Sequence, residues 1–148
     1  MSRIQTLTVQ TGVIAATIAC AGLALASPAS AKPFTQDSYI DVPSCPQPQT
    51  QVCNQVPTAN VGAVMAPSVS FSANGNHCSD IIAHVIVDGQ EVGSAQVGPG
   101  QSTPSYDLAS YRSHTVGVRA EGVPGGCNAG YLSAWGGTLH FTGISPLS

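Results

Sequence analysis

Charge is scarce in this chain. Only 7% of its 148 residues are Asp, Glu, Lys or Arg, and only four are basic. Arg3, Lys32, Arg112 and Arg119 are spread along the sequence. No basic stripe exists to neutralise a run of phosphates, which argues against nucleic acid and anionic membrane surfaces as partners. Aromatic residues are also few, at 5%, so the core must be built from small aliphatic side chains. No stretch repeats the apolar spacing of an amphipathic helix. There is no G-x-S-x-G nucleophile elbow. The glycine-rich "GPGQST" (98–103) lacks the lysine of a P-loop, and no helix follows it. Its glycines read as tight β-turns.

What is present begins with an apolar run, "VIAATIACAGLALA" (13–26), behind the single charge of Arg3. The run is shorter than the about 20 residues a membrane span needs. It leads into "SPASA", where Ala29-Ser30-Ala31 has the small-residue pattern of a signal-peptide cleavage site. Residues 1–31 therefore read as a signal peptide, and the mature chain carries no further candidate span. A lipoprotein reading through Cys20 is weaker, because Thr17 replaces the usual branched apolar residue. The expected address is secreted, in the extracellular medium or associated with a bacterial envelope.

Cleavage after Ala31 leaves four cysteines, Cys45, Cys53, Cys78 and Cys127. An even count in a small exported domain reads as two disulfides. Residues 32–60 are rich in Pro and Gln, and their five prolines oppose a helix or a central strand. They read as an irregular arm closed by a local Cys45–Cys53 loop, so a chain starting near Val61 is expected to keep its fold. From residue 61 to 148 the pattern is β. "SVSFSA" (68–73) alternates serine with Val69, Phe71 and Ala73. "IIAHVIV" (81–87), Asp88-Gly89 and "EVGSAQV" (91–97) read as a hairpin. "SYDLA" (105–109), "SHTVGVRAE" (113–121) and "LSAWGGTLHF" (132–141) complete six strands, with Trp135, Leu139 and Phe141 sharing a core face. Turns every eight to twelve residues indicate an all-β, antiparallel sandwich of about six to seven strands.

Alternating these strands up and down places the turn with Cys78 and the loop with Cys127 at one end. That parity selects Cys78–Cys127 as the second bridge. On the chain-entropy model it contributes roughly 4 kcal/mol, and Cys45–Cys53 roughly 2–3. Oxidised Cys78 cannot ligate zinc. His77 and His84, seven residues apart, would lie on opposite faces of an ideal strand and roughly 23 Å apart. No metal or other cofactor is expected. His84 and His140 lie on the outward faces of their strands and would meet only if those strands were neighbours. Ile82 and Ile86 share the face of His84, and Val61, Val64 and Met65 are the available cover for it. His114, at a strand start, should pair locally.

The stretches "VIVDGQEVG" and "SHTVGVRAEG" resemble strand pairs of exported Ig-like and fibronectin-III-like modules. The mid-strand cysteine pair and Tyr-x-Cys pattern of antibody domains are absent. The resemblance implies an Ig-like sandwich architecture and transfers no functional residue.

Loops of such a scaffold carry its binding residues. The Cys78–Cys127 end gathers "NGNHCSD", "GPGQST" and "GVPGGCNAG", and points to Asn76, His77, Asp80, Asn128 and Tyr131 as a binding rim. The function this implies is a secreted, non-enzymatic structural or interaction module with a protein or envelope-glycan partner. A glycan-binding module using the same rim is the alternative, and a small secreted hydrolase the third reading. Intact-mass measurement of the exported protein should give a chain starting at Lys32. A chain starting at a lipidated Cys20 would place it on a membrane instead.

Overall fold

The computed structural model describes residues 31–46, 50–129 and 131–145. The expected signal peptide lies outside them, apart from Ala31. The described residues contain nine strands and no helix. They are β1 (Lys32–Val42), β2 (Val52–Cys53), β3 (Thr58–Val61), β4 (Met65–Ala73), β5 (Ile81–Val87), β6 (Gln90–Val97), β7 (Tyr106–Asp107), β8 (His114–Gly122) and β9 (Trp135–Ser145). They form two antiparallel sheets. One has the order β1-β9-β4-β7; the other has the order β2-β8-β5-β6, with β3 also on β8. The result is a β-sandwich with one apolar interior. The chain leaves the second sheet after β8, and β9 inserts between β1 and β4 of the first.

Strict alternation builds the interior. Val69, Phe71 and Ala73 of β4 are buried, and so are Val116, Val118 and Ala120 of β8. Leu139 and Phe141 of β9 join them, and Trp135 meets Phe71 edge to face, with ring centroids 6.0 Å apart. Such aromatic pairs contribute about 0.5–1.5 kcal/mol beyond area burial. Gly137 makes this packing possible: a Cβ there would collide with the Phe71 ring and the Ser72 carbonyl. The sequence-predicted hairpin forms as expected. Asp88 and Gly89 both have positive φ, 50° and 83°, the geometry of a type I′ turn.

The irregular arm is not irregular at its start. Lys32–Val42 forms an eleven-residue strand paired along its whole length with β9, from Lys32↔Ser145 to Val42↔Trp135. The physical reason lies in the side-chain pattern of the strand. Its inward positions are Phe34, Gln36, Ser38, Ile40 and Val42, and the two polar residues hide the period. Gln36 is accommodated at the sandwich edge, where its Nε2 donates to the Asn60 carbonyl at 2.9 Å. Of the prolines, only Pro33 falls in the strand, at its second residue on a sheet edge, where a missing N–H is tolerated. β2 and β3 likewise pair with β8. Val61 is in the core, 1% exposed, and Val64 is buried, so they do not cover the outer face of β5. That face is lined by charge instead. His84 contacts Glu91 at 2.9 Å and Glu121 at 3.6 Å, and Arg119 reaches Glu91 at 3.4 Å. His84 and His140 belong to different sheets and point away from each other, so they do not meet.

His114 pairs locally, through Nδ1 with Asp88 at 2.8 Å and through Nε2 with the Ala109 carbonyl at 2.8 Å. Asp88 thereby ties the β5–β6 turn to the start of β8. Its carboxylate accepts the Thr115 amide (3.0 Å) and bonds His114 and Arg112. The Thr115 amide foremost, then His114 and Arg112, hold its pKa down, from 3.8 to about 2.

Two outcomes follow from this architecture. A chain starting at Val61 loses β1, β2, nearly all of β3 and one disulfide, and should show no native near-UV circular dichroism; a native spectrum would show that β1 is dispensable. Asp88 has a depressed folded pKa, so its contribution is complete above the unfolded value of 3.8 and is lost as pH falls through about 2. Denaturant unfolding at pH 6 and pH 2 should therefore show a smaller loss of stability in Asp88→Asn than in the wild type. Equal losses would remove Asp88 from the acid response.

Candidate functional site

Three chain segments converge beyond the end of β4. The first is the turn 74–80. The second is formed by residues 123–129 and 131–134, between β8 and β9. The third is the end of β1 with the chain that follows it. Cys78 and Cys127 are joined, with Cα atoms 5.6 Å apart, and so are Cys45 and Cys53, with Cα atoms 5.5 Å apart. Two disulfides of this kind point to an oxidising compartment. The glycine at 126 is required by the crossing: its φ is +52°, and a Cβ there would strike the Cys78 carbonyl oxygen.

Backbone hydrogen bonds fix the segments against one another. Val123 N–H donates to the Asp80 carbonyl (3.1 Å), Leu132 N–H to that of Thr50 (3.1 Å), and Cys45 N–H to that of Ser133 (2.8 Å). The Cys45–Cys53 loop therefore buttresses the loop that carries Cys127. Asn128 works from inside the loop. Its Nδ2 donates to the Val123 carbonyl (3.0 Å) and to Gln51 Oε1 (3.3 Å), and its Oδ1 accepts the Tyr131 N–H (3.1 Å).

Between these segments lies an open cavity of about 360 Å³. Four of the five residues expected at the binding rim line it: Asn76, His77, Asn128 and Tyr131. Asp80 does not. It lies across the Cys78–Cys127 bridge in a second hollow, where it accepts a hydrogen bond from Gln96 Nε2 at 2.8 Å. The bridge that gathers the loops also divides their concavities, because Cys78 borders both. Tyr39 and Asp41 of β1, Asn74 and Trp135 line the first cavity as well. The β1 residues escaped sequence reading because that segment read as irregular. The signal available was the alternation in "TQDSYID", which puts Asp37, Tyr39 and Asp41 on one face.

The cavity's lining is polar and hydrogen-bonding, with little charge. No Lys or Arg lines it, and Asp41 is its one carboxylate among the described residues. Burial lowers the pKa of His77. The Gly136 amide donates to its Nε2 at 3.2 Å, a bond only an unprotonated Nε2 can accept, so the ring presents Nδ1–H. Asn74 Nδ2 donates to the Tyr39 hydroxyl at 3.0 Å. Tyr39 and Tyr131 stand 61% and 47% exposed at the rim. Trp135 is buried, as expected of a core residue, yet borders the cavity, and its indole Nε1 has no hydrogen-bond partner among the described residues. No cluster of three or more His, Cys, Asp or Glu side chains suited to a metal ion is found among the described residues. Comparison with protein-family models and with curated protein sequences finds no match for this chain.

Proposed function

We propose that the chain is an exported Ig-like interaction module, acting in the extracellular medium or at a bacterial envelope, and that it works by binding at the Cys78–Cys127 end rather than by turnover there. The observation that carries this reading is the cavity itself: a concavity of about 360 Å³ held by two disulfides and rimmed by two exposed tyrosines. Preorganised loops lose little conformational entropy when a ligand arrives, which is what a small binding surface needs. The first residue of β1 is also the first residue after the expected cleavage site, which fits a mature chain beginning at Lys32.

The lining favours a glycan as the ligand. An anion would find no cation among the lining side chains, and burying an uncompensated charge is costly. A neutral polyhydroxylated ligand finds amides and phenol hydroxyls as donors and acceptors, with tyrosine rings to stack on. Among the described lining residues the one imidazole is not free to act as a base, since His77 commits Nε2 to the Gly136 amide.

The decisive variant is Tyr39→Ala with Tyr131→Ala. Asn128→Ala would be a poor choice, because its side chain holds the loop. Both tyrosines are exposed, so melting should be nearly unchanged, as for surface substitutions worth within about 0.5 kcal/mol. Retention on cell-wall polysaccharide or on a positive glycan-array feature should weaken by about tenfold or more, equivalent to about 1.4 kcal/mol. Unaltered binding in the double variant, or no glycan bound by the wild type, would overturn the cavity reading.

A further inference from the structure

The outer face of the first sheet carries a second arrangement, separate from the cavity. Asp37 on β1 lies directly opposite His140 on β9. Asp37 Oδ1 is 2.8 Å from His140 Nδ1, and His140 Nε2 is 2.9 Å from the Ser72 hydroxyl on β4. Ser72 Oγ is in turn 2.6 Å from Ser102 Oγ. Three adjacent strands thus set a carboxylate, an imidazole and a hydroxyl in line. The imidazole is 38% and the carboxylate 70% exposed, so small molecules reach them from solvent.

We propose that Ser72 is an activated nucleophile toward small activated esters, with His140 as its general base and Asp37 as the positioning residue. The hydrogen bonds fix the roles. A carboxylate accepts and does not donate, so Nδ1 carries the proton and Nε2 is left to accept the Ser72 O–H. Ser72 has one proton and directs it to His140, so Ser102 donates in the short serine–serine contact. A polar pair on the same face shows the difference: Ser68 and Thr142 bond at 2.8 Å, but the residue opposite Ser68 on β7 is the carboxylate Asp107 and not an imidazole.

In the reaction, Ser72 Oγ forms a bond to the acyl carbon while its proton passes to His140 Nε2. The ester C–O bond then breaks, and the alcohol or phenol leaves with that proton. Water repeats the sequence on the acyl-serine, giving the free acid and restoring Ser72. The negative charge that develops on the acyl oxygen faces solvent, and the Ser102 proton stays on Ser72 Oγ until that oxygen is acylated.

This proposal stands apart from the cavity, because small probes need no cavity contact. The mature protein, with disulfides intact, is treated with a fluorophosphonate, whose fluoride leaves as phosphorus bonds Oγ, and separately with p-nitrophenyl acetate. Peptide mapping should find the phosphonyl group on Ser72, and Ser72→Ala should abolish labelling. His140→Gln keeps a hydrogen-bonding partner but no base, and should label about 10²-fold more slowly. Added imidazole should restore part of the rate in His140→Ala. Asp37→Ala should slow labelling without moving the melting temperature, since Asp37 is exposed. Labelling of Ser102 instead, equal rates in wild type and His140→Gln, or no labelling of the folded wild type would each overturn the proposal. Should His140→Gln not fold, the Asp37→Ala rate decides.

Discussion

The structure depends on where β9 goes. Its insertion between β1 and β4 creates an eleven-residue antiparallel ladder on one side and a second ladder on the other. Each ladder has an inward and an outward consequence, because side chains alternate across a strand. Inward, Trp135, Leu139 and Phe141 reach across to the second sheet and, with Phe71, supply most of the large side chains of a core otherwise made of valine, isoleucine, alanine, cysteine and Leu132. Outward, Gly136, Thr138, His140 and Thr142 meet polar partners from both neighbours. At the ladder's beginning, Gly136 supplies the amide that holds His77 at the cavity wall. The same strand therefore sets the core, one wall of the cavity and the base of the serine arrangement.

Most of this was legible wherever one face of a strand is wholly apolar. Val69, Phe71 and Ala73 against three serines state both the strand and its orientation. Asp88-Gly89 states the turn, and strand parity states the Cys78–Cys127 pairing. Legibility failed where inward positions are polar. Gln36 and Ser38 break the period of β1, and neighbouring prolines made the whole segment look irregular. The loss carried over to the site, since Tyr39 and Asp41 come from that strand. Asp80 was misplaced for a different reason. Loop residues close in sequence to a disulfide can fall on either side of it, and no periodicity decides which. Long-range pairs lie beyond local pattern altogether: Asp37, Ser72 and His140 are brought together by pairing register alone.

The two disulfides divide the labour of the loop-rich end. Cys78–Cys127 closes a loop with a sequence separation of 49 residues, Cys45–Cys53 one of 8. The long closure removes more freedom from the unfolded chain, and it joins the turn at Cys78 to the glycine-rich loop that carries Cys127. The short closure acts mainly through position. It fixes the segment from which Thr50, Gln51 and Cys45 bond the 122–133 stretch. Asn128, expected to face a ligand, is spent on that same bracing. Loop rigidity at this end thus comes from side chains that sequence composition would assign to recognition.

Cavity and serine are neighbours on one surface. Along β1, Tyr39 follows Asp37 by two residues on the same face, and on β4 and its continuation Asn74 follows Ser72 by two. At about 3.3 Å per residue, each step is about 7 Å. The Tyr39–Asn74 hydrogen bond spans the sheet between them, so the rim of the cavity also borders the Asp37–His140–Ser72 line. Their environments differ in the property that matters for chemistry. The cavity is concave, and its imidazole, His77, has Nε2 engaged by the Gly136 amide. The serine line has a base but lies open to solvent, where hydrogen bonds and charge stabilisation are weaker. A ligand held in the cavity and extending past Tyr39 would exclude water from the open line, and would give the serine the enclosure that its own face does not supply.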